Sequence, residues 1–248
     1  MRTFLKKIGE EPLKAAFRKI GLEVTASNGA MVEYSVLARV LKDVKIDLVI
    51  DVGANIGQYG LLLRQLRYRG RILSIEPMSR AHGDLTKTAQ GDANWVVLPP
   101  MAVGACKSEA VINVSSNSVS SSLLQLLPAH LEAAASSSYI STETVPVERL
   151  DDCLLGKVDS VKNKILLKID TQGFEDAVLD GAVELLRHVE VVQCELSLRP
   201  LYEGQKLIED IISRFRSIGF IPIALVPGFK DPVSRELLQC DGFFRRLH

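Results

Sequence analysis

The chain has 248 residues, of which 47% are hydrophobic, with 30 basic residues against 30 acidic ones. That length fits one domain with a modest extension, and the apolar content supplies a buried core and excludes a disordered chain. A formal charge of zero and a pI near 6.9 provide no overall field for nucleic acid, so no nucleic-acid partner is expected.

Cys106, Cys153, Cys194 and Cys240 are scattered without C-x-x-C spacing. They read as reduced thiols of a cytoplasmic protein, not as a zinc cluster. No apolar run reaches the roughly 18–20 residues of a membrane span. The first residues lack the apolar core and cleavage site of a secretion signal.

Residues 1–45 read as a helical extension. Phe4, Leu5 and Ile8, then Leu13, Phe17 and Ile20, fall at helical spacing among basic residues, and Pro12 fits the first turn of a second helix. A basic amphipathic helix suits peripheral contact with a membrane surface. Glu10 and Glu11 interrupt the basic face and favour instead a helix that caps the sheet or closes over the site.

Residues 46–248 form the second unit, in which apolar strands alternate with helices. Strands are predicted over 47–52, 71–75, 95–98, 165–169, 189–194, 220–226 and 242–245. Helices are predicted over 59–67, 80–89, 175–187 and 205–218. Residues 110–114 and 144–147 read as an antiparallel excursion around a serine-rich insert, 115–139. The pattern implies an α/β fold, a doubly wound, mostly parallel seven-stranded sheet with both faces covered. The last two strands form a hairpin that would place one antiparallel strand at the sheet edge.

In such a sheet, ligands bind beyond the carboxyl ends of the strands. Four parallel strands finish in a carboxylate: Asp51, Glu76, Asp170 and Glu195. Asp51 opens D-V-G-A-N-I-G, where Gly53 and Gly57 permit a tight turn beside a ligand, with Ala54 and Asn55 between them. Asn55 occupies the place of the middle glycine that admits a pyrophosphate in G-x-G-x-x-G. Glu76, followed by Pro77, can accept hydrogen bonds from both hydroxyls of a ribose, each worth about 1.5–3 kcal/mol. A nucleoside without phosphates describes S-adenosylmethionine.

Lys168 interrupts an otherwise apolar strand and shares a face with Asp170, so Asp170 or Glu195 is its expected partner. Asp170 and Glu195 would orient an acceptor hydroxyl and remove its proton. They could also hold a divalent cation, for which spacing offers no third ligand.

These residues resemble the FkbM-type methyltransferases. The resemblance runs from about Ile46 to Leu247 through D-V-G-A-N-I-G, Ile75-Glu76-Pro77, Ala102-Val103-Gly104, Ser120-Ser121-Ser122-Leu123, K-I-D-T-Q-G-F-E, Gly181-Ala182, and Glu195 with Leu201-Tyr202-Glu203-Gly204. It implies a class I, Rossmann-like methyltransferase fold, S-adenosylmethionine as donor, and O-methylation of a hydroxyl on a small molecule or a polysaccharide- or polyketide-type acceptor. By position, Asp51, Gly53, Asn55, Gly57 and Glu76 would line the cofactor site, while Asp170 and Glu195 would face the acceptor. Ser120–Ser122 matches a serine-rich element near the family's active site; read by themselves, these serines suit a flexible polar loop equally well. The competing readings are an NAD-dependent oxidoreductase and a non-catalytic cofactor-binding module. A nucleic-acid methyltransferase acting on base amino groups would carry Asn/Asp-Pro-Pro-Tyr/Phe where Asp170-Thr171-Gln172-Gly173 stands.

Overall fold

The computed structural model describes residues 29–117, 120–134, 137–156, 158 and 164–247. The predicted basic helices over 1–21, and with them the membrane-surface contact, lie outside the described residues.

Five-residue, mostly apolar runs form the centre of the sheet. They are β1 (Leu48–Val52), β2 (Arg71–Ile75) and β7 (Ile165–Ile169), joined by β3 (Trp95–Val97), β8 (Val189–Ser197), β9 (Phe220–Pro227) and β10 (Gln239–Arg246). The strand order is β3-β2-β1-β7-β8-β10-β9. The first five are mutually parallel, and β10 is antiparallel to both its neighbours. The expected seven-stranded, doubly wound sheet is therefore present.

Strand alternation divides the core in two. Ile50, Leu73, Leu167 and Val192 point to one face, where they pack against α5 (Leu150–Leu154), α6 (Glu175–Asp180), α7 (Val183–Leu186) and α8 (Ile208–Ser217). Val49, Ile72, Leu166 and Val191 point to the other. There they meet Leu37, Val40 and Leu41 of α1 (Gly29–Asp43), Leu63 of α2 (Gln58–Gln65) and Leu85 of α3 (Ser79–Ala89).

The antiparallel strand is not at the edge, contrary to the sequence reading. After β8 the chain passes through α8 to β9 at the rim, and β10 then turns back into the gap. Burial explains the choice: Phe243 and Phe244 of β10 are fully buried, whereas Ile221, Ile223 and Leu225 of β9 are exposed. The more apolar strand takes the inner position. The helix predicted over 175–187 is broken into α6 and α7 at Gly181-Ala182. A Cβ on Gly181 would lie 2.1 Å from the Gly104 carbonyl oxygen, so this junction serves a close backbone crossing.

The excursion is a second sheet, ordered β4-β6-β5, of β4 (Ala102–Val103), β5 (Ser108–Ser115) and β6 (Tyr139–Glu148). The antiparallel pairing of β5 with β6 was expected. The sheet and a short helix, α4 (Pro128–Ala133), roof the carboxyl ends of the main strands.

Candidate active site

The turn after β1 is built from left-handed residues. Gly53 (φ 80°), Asn55 (φ 46°) and Gly57 (φ 95°) all have positive φ, and asparagine is among the few side-chain-bearing residues that tolerate it. A Cβ on Gly53 would sit 1.9 Å from the Asp170 carbonyl oxygen, so glycine is required where the β1 and β7 turns meet. Gly53 and Ala54 donate their N–H groups to the Ile75 carbonyl, both at 3.0 Å, which ties the turn to the end of β2.

That tie positions Glu76. Its Oε2 accepts the Asn55 N–H at 2.8 Å, and its Oε1 accepts the Met78 N–H at 2.9 Å. Burial pushes its carboxyl up to about 7, against the opposing pull of those two N–H groups. One N–H per oxygen leaves further lone pairs for a ligand diol.

Ser74, Asp51, Lys168 and Gln193 lie side by side across β2, β1, β7 and β8. All four are buried and, by strand parity, share the face covered by α1, α2 and α3. Lys168 Nζ is 3.0 Å from Asp170 Oδ2, 3.7 Å from Asp51 Oδ1 and 5.0 Å from the centre of the Tyr59 ring. Burial would discharge the amine, but Asp170 and Asp51 outweigh it and raise its pKa. Asp51 has no hydrogen-bond partner among the described residues. Burial lifts its carboxyl to about 6, with Lys168 pulling the other way.

The D-T-Q-G turn follows β7. Glu175 Oε1 accepts the N–H groups of Thr171 (3.0 Å) and Gly173 (3.1 Å), which locks the turn and places Gln172 at φ 55°. Gln172 Nε2 then donates to Asp170 Oδ1 (2.8 Å) and Glu195 Oε2 (3.0 Å), while its Oε1 accepts the Tyr202 hydroxyl (2.8 Å). Gln239 Nε2 supplies a second donor to Glu195 Oε2 at 2.8 Å. Burial, reinforced by Asp170 and Glu175, raises the Glu195 carboxyl far above the usual carboxylate range.

Ser120, Ser121 and Ser122 are buried and line the cavity, so they are a built wall and not a loose loop. Ser122 Oγ donates to the Gln172 carbonyl at 2.7 Å, and Ser121 Oγ accepts the Ser115 N–H at 2.9 Å.

These parts enclose a cavity of about 520 Å³, within the range of small-molecule sites. Glu76, Pro77, Asn55 and Met78 line one region of it; Asp170, Gln172, Glu195 and Gln239 line another. Of the residues singled out in the sequence, Gly53, Ala54, Asn55, Glu76, Pro77, Asp170 and Glu195 line the cavity. Asp51 and Gly57 do not; Asp51 lies behind Lys168, which does, and Gly57 packs towards Leu85, Thr88 and Trp95. Lys168 pairs with Asp170, as expected, and with Asp51, while Glu195 is held by the two glutamine amides.

The roles of Gln172 and Tyr202 were missed, although both fall in the quoted motifs. Gln239, His130, Asn117 and Phe229 also line the cavity and carried no sequence signal. Among the described residues, no group of three or more His, Cys, Asp or Glu side chains is placed to hold a metal ion.

The strand order, the glycine turn and the acid after β2 define a class I methyltransferase. Residues 51–222, more than half of the chain, match the methyltransferase FkbM domain. The chain belongs to the FkbM methyltransferase family and uses S-adenosylmethionine as its methyl donor.

Among solved structures, a protein described as a methyltransferase, from Thermobifida fusca YX, shares 9% identity, with 89% of this chain and 80% of that chain covered at a TM-score of 0.50. An rRNA methylase from Streptococcus thermophilus shares 11%, covering 91% and 100%, at 0.49. Fibrillarin from Aeropyrum pernix, in complex with natively bound S-adenosyl-L-methionine, shares 15%, covering 85% and 74%, at 0.43. No curated protein matches the chain significantly.

Proposed function

We propose that this protein is an O-methyltransferase acting on a hydroxyl of a small molecule or carbohydrate, within a catalytic unit spanning residues 46–248 behind an extension over 1–45. The observation that carries this reading is the single cavity joining Glu76 to the Asp170–Gln172–Glu195 cluster. The residues present fit the cofactor: Glu76 has lone pairs for a ribose diol, and Asn55, Pro77 and Met78 surround it. Asp51 holds Lys168 in place beneath the site. Among the described lining residues Lys168 is the one cation beside Glu33, Glu76, Asp170 and Glu195. That balance suits a phosphate-free nucleoside and disfavours both the pyrophosphate of NAD and a nucleic-acid backbone.

When bound, S-adenosylmethionine supplies an electrophilic methyl group on its sulfonium. The chain's own part is to present the acceptor. Asp170, oriented by Lys168 and Gln172, accepts a hydrogen bond from the acceptor hydroxyl and takes its proton. Glu195, made hard to ionise by its burial and its acidic neighbours, binds a second polar atom of the acceptor as a donor. Cys106, exposed, Cys153, half-buried, and Cys194 and Cys240, both buried, form no disulfide among the described residues, which suits a reducing, cytoplasmic setting.

Calorimetry with S-adenosylhomocysteine and with NAD tests the cofactor assignment, with heat expected only from the former. A hydroxyl-acceptor screen coupled to S-adenosylhomocysteine release tests the reaction. Asp170→Asn should lower turnover by about 10²-fold or more with cofactor affinity retained. Turnover equal to wild type would refute its role.

A further inference from the structure

The serine-rich insert carries a histidine to which the reaction scheme gives no task. His130, in α4, is 3% exposed and lines the same cavity. Its Nε2 is anchored on Ser137 Oγ at 3.1 Å. Its Nδ1 is buried and has no hydrogen-bond partner among the described residues.

The surroundings of Nε2 are complete by contrast. Ser137 Oγ also meets Ser120 Oγ at 3.0 Å and accepts from Asn117 Nδ2 at 3.1 Å. Asn117 Oδ1 in turn accepts from Ser115 Oγ (2.6 Å) and the Ser120 N–H (3.1 Å). A network that satisfies every other side-chain polar atom leaves Nδ1 as the group offered to a ligand. The ring is also packed in place. Tyr202 meets it edge-on with centroids 5.2 Å apart, and Phe229 lies 5.5 Å away.

Tyr202 links this ring to the acceptor carboxylates, because its hydroxyl rests on the Gln172 amide that holds Asp170 and Glu195. We propose that His130 is a specificity-determining residue whose Nδ1 holds a further hydroxyl of the acceptor, so that the site selects polyhydroxylated molecules over simple alcohols. This rests on the placement of the acceptor beside Asp170. Chemistry supports a hydroxyl there. An imidazole nitrogen donates or accepts according to its tautomer, and a hydroxyl answers either. Burial holds the imidazole below its ordinary pKa and so keeps it neutral, and the carboxylates that line the same cavity, Glu33, Glu76, Asp170 and Glu195, disfavour an anionic group.

The test uses the full chain, labelled with 15N at histidine and saturated with S-adenosylhomocysteine. The probes are the methyl α-pyranosides of glucose, mannose and galactose, with cyclohexanol as the single-alcohol control. The His130 Nδ1 resonance should move with at least one pyranoside and stay in place with cyclohexanol. Two variants separate recognition from support. An asparagine amide reaches the Nδ1 position, and a glutamine amide reaches the Nε2 position. H130Q should therefore keep the Ser137 contact yet weaken the pyranoside by about tenfold, the worth of one hydrogen bond. H130N should stay within about threefold of wild type, a fraction of one such bond. Both should bind S-adenosylhomocysteine as wild type does.

Loss in H130N alone, equal loss in both variants, or equal binding of cyclohexanol overturns the proposal. So does pyranoside binding with Nδ1 unmoved or with H130Q unaffected, and these results leave the hydroxyl-acceptor reading intact. If wild type binds S-adenosylhomocysteine and no pyranoside, the carbohydrate reading and this proposal fall together.

Discussion

Glu76 shows how one side chain takes its orientation from its neighbours. The sequence placed an acid after the second strand. The structure adds that its two oxygens are fixed by the N–H groups of Asn55 and Met78, so the carboxylate is oriented before any ligand arrives. Glu76→Gln keeps the shape and removes the charge. At about 1.5–3 kcal/mol for each charge-assisted bond, the Kd for S-adenosylhomocysteine should rise roughly 10- to 100-fold by calorimetry. An unchanged Kd would place the ribose elsewhere. Asn55 and Lys168 were readable as anomalies, one where a glycine was expected and one in an apolar strand. Their reasons were not. Asn55 adopts the left-handed turn itself, and Lys168 neutralises Asp51 on the adjacent strand as well as Asp170 on its own.

Strands were the easiest elements to foresee. Residues 71–75 and 165–169 appear as predicted, because a buried parallel strand needs a short, mostly apolar run bounded by turn residues. Helix continuity was harder. The run over 175–187 has helical periodicity throughout, yet Gly181 interrupts it to let the chain pass the Gly104 carbonyl. Gly181→Ala forces a Cβ against backbone, which cannot swing aside as a side chain would. It should cost about 1–3 kcal/mol. Urea unfolding followed by fluorescence of Trp95, the only tryptophan, measures this directly, and a midpoint equal to wild type would deny the crossing its role. The insert was least readable of all. Ser120–Ser122 became part of a buried wall only because Gln172 lies across from them, a contact far from local in sequence.

At the scale of the whole molecule, the fold gathers carboxylates away from water. Burial is the main cause that raises Asp51 from 3.8 to about 6, Glu76 and Glu175 from 4.5 to about 7, and Asp241 from 3.8 to about 7. A raised acid favours the folded state in its protonated form. Its contribution is complete below the unfolded value and is lost as pH climbs through the folded value. His130, lowered from 6.5 by burial, acts in the opposite sense, but it is one group against four. Asp84 and Asp92, held low chiefly by hydrogen bonds from Lys87 and Arg64, finish titrating below this window. The melting temperature of the ligand-free protein should therefore fall between about pH 5 and pH 8, and a rise across that range would contradict the burial of these acids.

The sequence by itself determined the class of fold, the strand ends that carry acids, and the face to which each strand residue points. These follow from local alternation and turn chemistry, which a stretch of five to ten residues encodes. Only the tertiary structure decided which strands are neighbours, and so which charges meet. The inner position of β10, the row from Ser74 to Gln193, and the placing of His130 beside Tyr202 all depend on how distant segments cross. Burial energy summed over the whole core selects those crossings, and no single segment contains it.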